Sequence, residues 1–393
     1  MFWYLAFFAV LFALAMIEGD TKSRWPAYAA GAILAFIVGL RYETGFDWVD
    51  YETYYQFQRG FGETDIYASI TSGMFEPGFV LLNRILRTFD FGFQSLIFIC
   101  GTFSIFAFVK LASRFSPTVG IVVLWYYGFV FLSGPMSSMR YAFAVSFIYL
   151  AFIYENDGRH FRAITMALVA ISMHYFSAIF IPIIFWRGRV PTLKFSLITT
   201  IVGFFVSSVG GNLLLSITGF VLAVAGEGFV ADKMQIYSSF ALGEVSPFSL
   251  AIVVWHLGFL WLVQRKGRVD DYITKNAFVI TWLVLVAHSF LAPFPIFWNR
   301  IMLVCFPLQA IVLCRAYYRE LSIAQVRTPI FACFAAGSCL ALVYTLYNSQ
   351  SLVFKPYQSL AITWVKGPYG NGRVRYQLVR NETNQVMYDL KVQ

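Results

Sequence analysis

The sequence predicts an all-α polytopic membrane protein, and three observations carry that expectation. Hydrophobic residues fill 59% of the 393 positions and charged ones only 12%, about half the ~25% of a soluble domain. The apolar residues gather into repeated runs long enough to cross a hydrocarbon core of ~30 Å as helices. The basic residues are scattered between those runs and form no single patch. A chain in lipid must satisfy its backbone polar groups internally, which leaves helices for runs of this length.

About ten spans follow from those runs, at 1–17, 25–40, 93–112, 118–133, 137–154, 195–215, 248–264, 277–292, 299–314 and 329–347. The first, Met1 to Ile17, has no basic n-region and no A-x-A-like end, so it is expected as a span and not a cleaved signal. The net charge of +9 is topology information, because Lys and Arg are retained in cytoplasmic loops. The basic links are Lys110/Arg114, Arg159/Arg162, Arg187/Arg189/Lys194, Arg265/Lys266/Arg268/Lys275 and Arg315/Arg319/Arg327. With these inside, the loop Arg41–Phe75, the link "GPMSSMR", residues 216–246 and "APFPIFWNR" lie outside, as does the N-terminus.

Residues 163–186 lie between two cytoplasmic links and so must cross an even number of times. They are too few for two full spans at ~1.5 Å per residue. A re-entrant or broken hairpin satisfies both conditions, with "SMHY" at its tip and Pro182 in its returning arm. Such backbone is tolerated at membrane depth where protein or water surrounds it. Near 75–90, "FEPGFVLLNRILRTF" sets Phe75, Phe79, Leu82, Leu86 and Phe89 at helical spacing with Arg84 and Arg87 elsewhere. That is the pattern of an interfacial helix. The domain plan is therefore a transmembrane body over 1–347, an extracytoplasmic loop over 41–92 and a polar tail over 348–393. The tail is expected outside, although its basic character pulls the other way. Its alternating runs "RVRYQLV" and "QVMYDLKV" about "NETN" predict a small β-hairpin.

The chemistry concentrates in "GLRYETGFDWVDYETYYQF". Arg41 ends the second span, and Asp47 and Asp50 follow. A helical "DWVDYETYY" would put Asp47, Asp50, Tyr51 and Tyr54 on one face. Carboxylates beside an arginine can act as a general base or hold sugar hydroxyls. Trp48, Tyr51 and Tyr54 suit either sugar stacking or an aromatic belt at the bilayer surface. Arg140 lies just inside a span and Arg300, after Trp298 in "FWNR", at the outer end of another. Together with Arg41 these guanidiniums can converge on a diphosphate, the plain alternative being snorkelling to headgroups.

His174, one of four histidines, is either a proton carrier at the hairpin tip or a satisfied core residue. His160, His256 and His288 are expected to be structural. Glu76 can hold sugar or complement a helix dipole. Glu227, Asp232, Lys233 and Glu244 are expected as solvated loop charges. No metal-ligand spacing occurs, and the five cysteines all sit in apolar runs. Walker A, G-x-G-x-x-G and G-x-S-x-G are absent, which gives nucleotide hydrolysis no support. No cofactor is implied.

These pieces together resemble the EpsG family, the Wzy-like polymerases of bacterial exopolysaccharide and O-antigen assembly. The resemblance rests on "LRYETGFDWVDYETYYQF", an Arg, then Gly-x-Asp, then Tyr at the outer end of an early span. It continues through "FEPGFVLLNRIL", "SSMRYAFAVSFIYLAFIYENDGRHFR" and "ALVAISMHYFSAIFIPIIF", and less specifically "NRIMLVCFPL". One departure stands out, because the family commonly has Arg-Gln where this chain reads Arg140-Tyr141.

The resemblance implies a polyprenyl-diphosphate-linked oligosaccharide as substrate, transferred at the outer face of the bacterial inner membrane. Arg41, Arg140 and Arg300 would then bind the diphosphate. Asp47, Asp50 or His174 would take the acceptor proton, and Trp48, Tyr51, Tyr54, Glu76 and Trp298 would hold sugar. A chain-length regulator and a flippase of the same pathway are the partners it suggests. Two rivals remain: another lipid-linked-sugar glycosyltransferase or ligase, and a transporter or flippase. The second predicts internal repeats and mid-membrane charges, whereas the ionisable residues here collect at one face.

Overall fold

The computed structural model describes residues 1–61 apart from 22 and 59, then 75–209, 247–265, 271–292, 295–320, 324–347, 349–363 apart from 362, and 372–381. Among these the secondary structure is helical, with one isolated β-bridge between Arg41 and Ser359. Four helices are long and apolar enough to cross a membrane, Phe2–Gly19, Phe93–Phe115, Tyr272–Phe290 and Ile296–Tyr317, and several shorter apolar helices accompany them. This is the architecture of a polytopic membrane protein. The charged loop residues Glu227, Asp232, Lys233 and Glu244 and the run "QVMYDLKV" lie outside the described residues.

The chain forms two compact units, Met1–Phe185 with Ala310–Asn381, and Trp186–Gln309. The first begins with α1 (Phe2–Thr21), α2 (Trp25–Gly39), α3 (Trp48–Phe57) and α4 (Pro77–Thr88). Next come α5 (Phe93–Phe115), α6 (Val119–Tyr126), α7 (Met139–Asn156) and α8 (His160–Met173). α5 packs along α2 and α7, and α7 along α8. Phe108 of α5 stacks on Tyr126 at 3.8 Å between ring centroids. α6 runs into a π-helical turn, Tyr127–Phe131, a wider winding often found beside functional loops.

α8 stops at His174, whose extended backbone (φ −159°, ψ 115°) starts a 3-10 turn, Tyr175–Phe180, followed by the short helix Ile181–Ile184. The rings of His174 and Phe176 both contact Tyr141 near the start of α7. The turn and the short helix also pack against α7. The break coincides with "SMHY".

At the end of the unit away from this break, Glu18 of α1 accepts the Val119 and Gly120 N–H groups that open α6. Arg24 reaches the Ser113 carbonyl at 2.8 Å, Arg114 pairs with Asp157 at 2.7 Å, and Glu155 meets His160 at 2.7 Å. These contacts tie the loops of that end together.

The second unit holds α9 (Leu193–Val209), α10 (Pro247–Arg265), α11 (Tyr272–Phe290) and the opening turns of α12 (Pro295–Glu320). Asp271 caps α11 by accepting from the Thr274 N–H and hydroxyl, which starts this helix ahead of its apolar run. Gln309 ties the interior together, bonding His256 Nδ1 and the Thr281 hydroxyl at 2.9 Å and accepting from the Trp255 indole at 2.8 Å. His288 packs on the Trp298 ring at 4.5 Å.

The first unit closes with α13 (Ala324–Tyr347), a 3-10 turn (Ser349–Phe354) and α14 (372–381). α14 contains "RVRYQLV", so the expected strand is corrected to a helix. Its buried and half-buried positions are Gly372, Arg375, Tyr376 and Val379, the i, i+3, i+4, i+7 spacing of one helical face. The alternation in the sequence is compatible with either period, and docking on α3 selects the helical one.

α4 also differs from its expected face. It buries Phe79, Val80, Asn83, Arg84 and Leu86 and leaves Leu81, Ile85 and Phe89 exposed. Arg84 turns inward because the Gly60 carbonyl accepts its Nη2 at 3.3 Å and the Phe61 ring covers it at 5.5 Å.

Candidate active site

At the end of the first unit where α8 breaks, the loop between α2 and α3 is held on three sides. Tyr42 N–H donates to Gln358 O at 3.0 Å, Gly45 N–H to Val353 O at 3.2 Å and Phe46 N–H to Ser137 Oγ at 3.1 Å. Gln94 of α5 donates to the Gly39 and Arg41 carbonyls. Gly45 has φ +110°, and a Cβ there would run into the Met136 carbonyl. Only glycine fits that conformation and that approach.

The same Met136 carbonyl accepts Nη1 of Arg41. Arg41 is 1% exposed, and its Nε and Nη2 have no hydrogen-bond partner among the described residues. Those two N–H bonds share one edge of the guanidinium, the edge that grips a phosphate or carboxylate in bidentate fashion. Burial pulls the Arg41 pKa below its ordinary value, and nearby Tyr51 and Asp47 act against that shift. The residue is thus a buried cation whose gripping edge is unoccupied among the described residues.

A second cluster lies where α4, α7 and the α8 break meet. Glu76 precedes α4 and is 1% exposed. Its Oε2 pairs with Arg140 of α7, and its Oε1 accepts the Tyr175 N–H at 3.3 Å. Gly78 makes this possible, because a Cβ there would strike Ser172 at the end of α8. The Arg140 guanidinium lies over the Phe75 ring at 4.6 Å, a cation–π contact that adds to the ion pair. His174 Nδ1 is 3.9 Å from Glu76 and accepts the Phe176 N–H at 3.2 Å. A ring nitrogen that accepts a backbone N–H carries no proton, so the neutral imidazole bears its hydrogen on Nε2.

These placements give several of the expected site residues partners within the protein. Glu76, expected to hold sugar or to complement a helix dipole, is paired with Arg140. Trp48, Tyr51 and Tyr54, expected for sugar stacking or an aromatic belt, are buried. Tyr51 and Tyr54 pack against Phe75 and Phe79, and Arg373 covers the Trp48 ring at 5.6 Å. Burying these large rings stabilises the fold by more than leaving them open to solvent would. Asp47 is half-buried and accepts the Tyr51 hydroxyl at 3.4 Å, whereas Asp50 is exposed and accepts from Tyr376 at 3.2 Å. Arg300 and Trp298 belong to the second unit.

The sequence reading took this part of the tail for a strand and did not anticipate the docking of α14. Glu43 accepts the Gly372 N–H at 2.9 Å, Arg375 Nη2 donates to the Glu43 carbonyl at 3.2 Å, and Arg373 pairs with Glu52. The signal was present as charge complementarity. A basic "GRVRYQLVR" faces Glu43, Asp50 and Glu52 across the fold.

With this geometry in hand, comparison with family models matches the EpsG family over residues 24–359. The chain belongs to the EpsG family. The matched region runs from α2 to the Ser359 bridge and contains both clusters. Tyr141 packs edge-on against His174 at 4.9 Å. Comparison with curated proteins and with solved structures finds no match. The family ties this membrane protein to exopolysaccharide biosynthesis and supports a glycosyltransferase-like role in general terms.

Proposed function

We propose that this chain polymerises polyprenyl-diphosphate-linked oligosaccharide repeat units at the outer face of the bacterial inner membrane. The observation that carries the reading is Arg41, a buried guanidinium whose bidentate edge has no partner among the described residues, inside a chain of this family. A diphosphate supplies the paired oxygens that edge needs. Arg41 would seat the leaving group and offset the charge that grows on it in the transition state.

The acceptor sugar's hydroxyl oxygen attacks the donor's anomeric carbon, and the bond from that carbon to the diphosphate oxygen breaks. Polyprenyl diphosphate leaves with the electron pair, and the acceptor's proton passes to a base. Asp47 suits that task best, being the carboxylate beside Arg41 that is half-buried. Asp50 is turned to Tyr376, and His174 Nδ1 is occupied by a backbone N–H. Arg140 and Glu76 hold α4, α7 and the α8 break in place around the site.

The test is product length in proteoliposomes holding the purified chain and a lipid-linked repeat unit. A ladder of products longer by whole repeats is expected. A single added sugar would move the reading to a simple transferase, and movement of unaltered substrate across the bilayer to a transporter.

A further inference from the structure

Arg41 is not the only guanidinium near this loop with idle donors. Arg375 of α14 is half-buried, and its Nε and Nη1 lack partners among the described residues, while Nη2 is spent on the Glu43 carbonyl. That carbonyl lies two residues along the chain from Arg41. Both guanidiniums act electrostatically on the Tyr4 hydroxyl, which itself donates to the Phe354 carbonyl at 2.9 Å. Burial lowers the Arg375 pKa, with Glu43 opposing the shift, so this cation too is held partly out of water.

Unsatisfied donors on buried cations are costly. Two of them beside one loop mark a place built for an anion that brings its own acceptors. A diphosphate has oxygens on two phosphorus centres, enough for two guanidiniums at once. A monophosphate fills the Arg41 edge and leaves Arg375 idle.

We propose that Arg41 and Arg375 together seat the diphosphate of the lipid-linked substrate, so that the C-terminal helix is part of the binding site. This rests on the reading of the chain as a transferase of polyprenyl-diphosphate-linked sugars. It goes beyond that reading, because α14 lies past residue 359, where the family match ends. The device that docks α14 is separate from the device that binds. Glu43 holds its first N–H, Arg373 pairs with Glu52, and Tyr376 donates to Asp50. None of these uses the idle donors of Arg375.

The experiment uses the full chain in phosphatidylcholine nanodiscs, titrated with farnesyl diphosphate and with farnesyl monophosphate. Wild type is expected to prefer the diphosphate. Arg375→Ala is expected to weaken diphosphate binding by about tenfold and to erase the preference, leaving monophosphate binding unchanged. Arg375→Lys, which keeps the charge without the planar fork, falls between. Arg373→Ala loosens the docking contact and is expected to keep the preference. Diphosphate binding unchanged in Arg375→Ala overturns the proposal, as does an equal loss in Arg373→Ala, which would make docking alone responsible. Phosphatidylglycerol discs that abolish wild-type binding would assign the seat to lipid headgroups and also overturn it. If wild type binds neither prenyl phosphate and makes no polymer, the functional reading falls as well. If wild type makes polymer while Arg375→Ala binds normally, only the role of α14 falls.

Discussion

Glu76 and Arg140 illustrate how a buried charge is held at the scale of single residues. Each lies out of water, so neither is tolerable alone, and removal of one partner from such a pair costs about 3–5 kcal/mol. Glu76→Gln and Arg140→Met are each expected to lower unfolding free energy in detergent by that order, and the double variant by much less than their sum. Additive losses would show that the two side chains do not depend on each other. Gly45 sets a second constraint. In Gly45→Ala the methyl group meets the Met136 carbonyl in a backbone conformation costing ~1–2 kcal/mol for an L-residue, and that carbonyl also anchors Arg41. Polymer synthesis should be lost at normal membrane abundance; wild-type product from this variant would mean that the anchoring carbonyl is dispensable.

The α8 break is the instructive element. His174 ends one helix and caps the next turn with Nδ1, a duty that asparagine can perform and leucine cannot. His174→Asn is expected to retain stability and activity, and His174→Leu to lose ~1 kcal/mol. A well-folded but inactive His174→Asn would restore the imidazole to proton transfer. A break near "SMHY" was legible in the sequence, from a short apolar segment set between basic links. The contacts of the Glu76 carboxylate were not, because spacing along the chain says nothing about which distant guanidinium it meets. For α4, helical period was legible but not the buried face. Arg84 points inward on account of a carbonyl and a ring supplied by Gly60 and Phe61.

Across the whole molecule, hydropathy and basic links revealed the helical membrane class, because the bilayer constrains every run of the chain alike. The polar tail escaped, since its fold is decided by docking: the same alternating residues serve a strand or a helix until Glu43, Asp50 and Glu52 select one. In the stretch Arg41 to Tyr54 the concentration of charges and rings was legible, but the burial of the rings and the partner of each charge were not, because both depend on residues far along the chain. Arg140 pairs with Glu76, while the Nε–Nη2 edge of Arg41 has no partner among the described residues. The account therefore stands on Arg41. Its most direct test is the rate of polyprenyl diphosphate release by the purified, reconstituted chain acting on a lipid-linked repeat unit. Wild type should release it as polymer grows, and Arg41→Ala should slow both by roughly 100-fold or more. Arg41→Ala that releases diphosphate and extends chains at the wild-type rate would contradict the account.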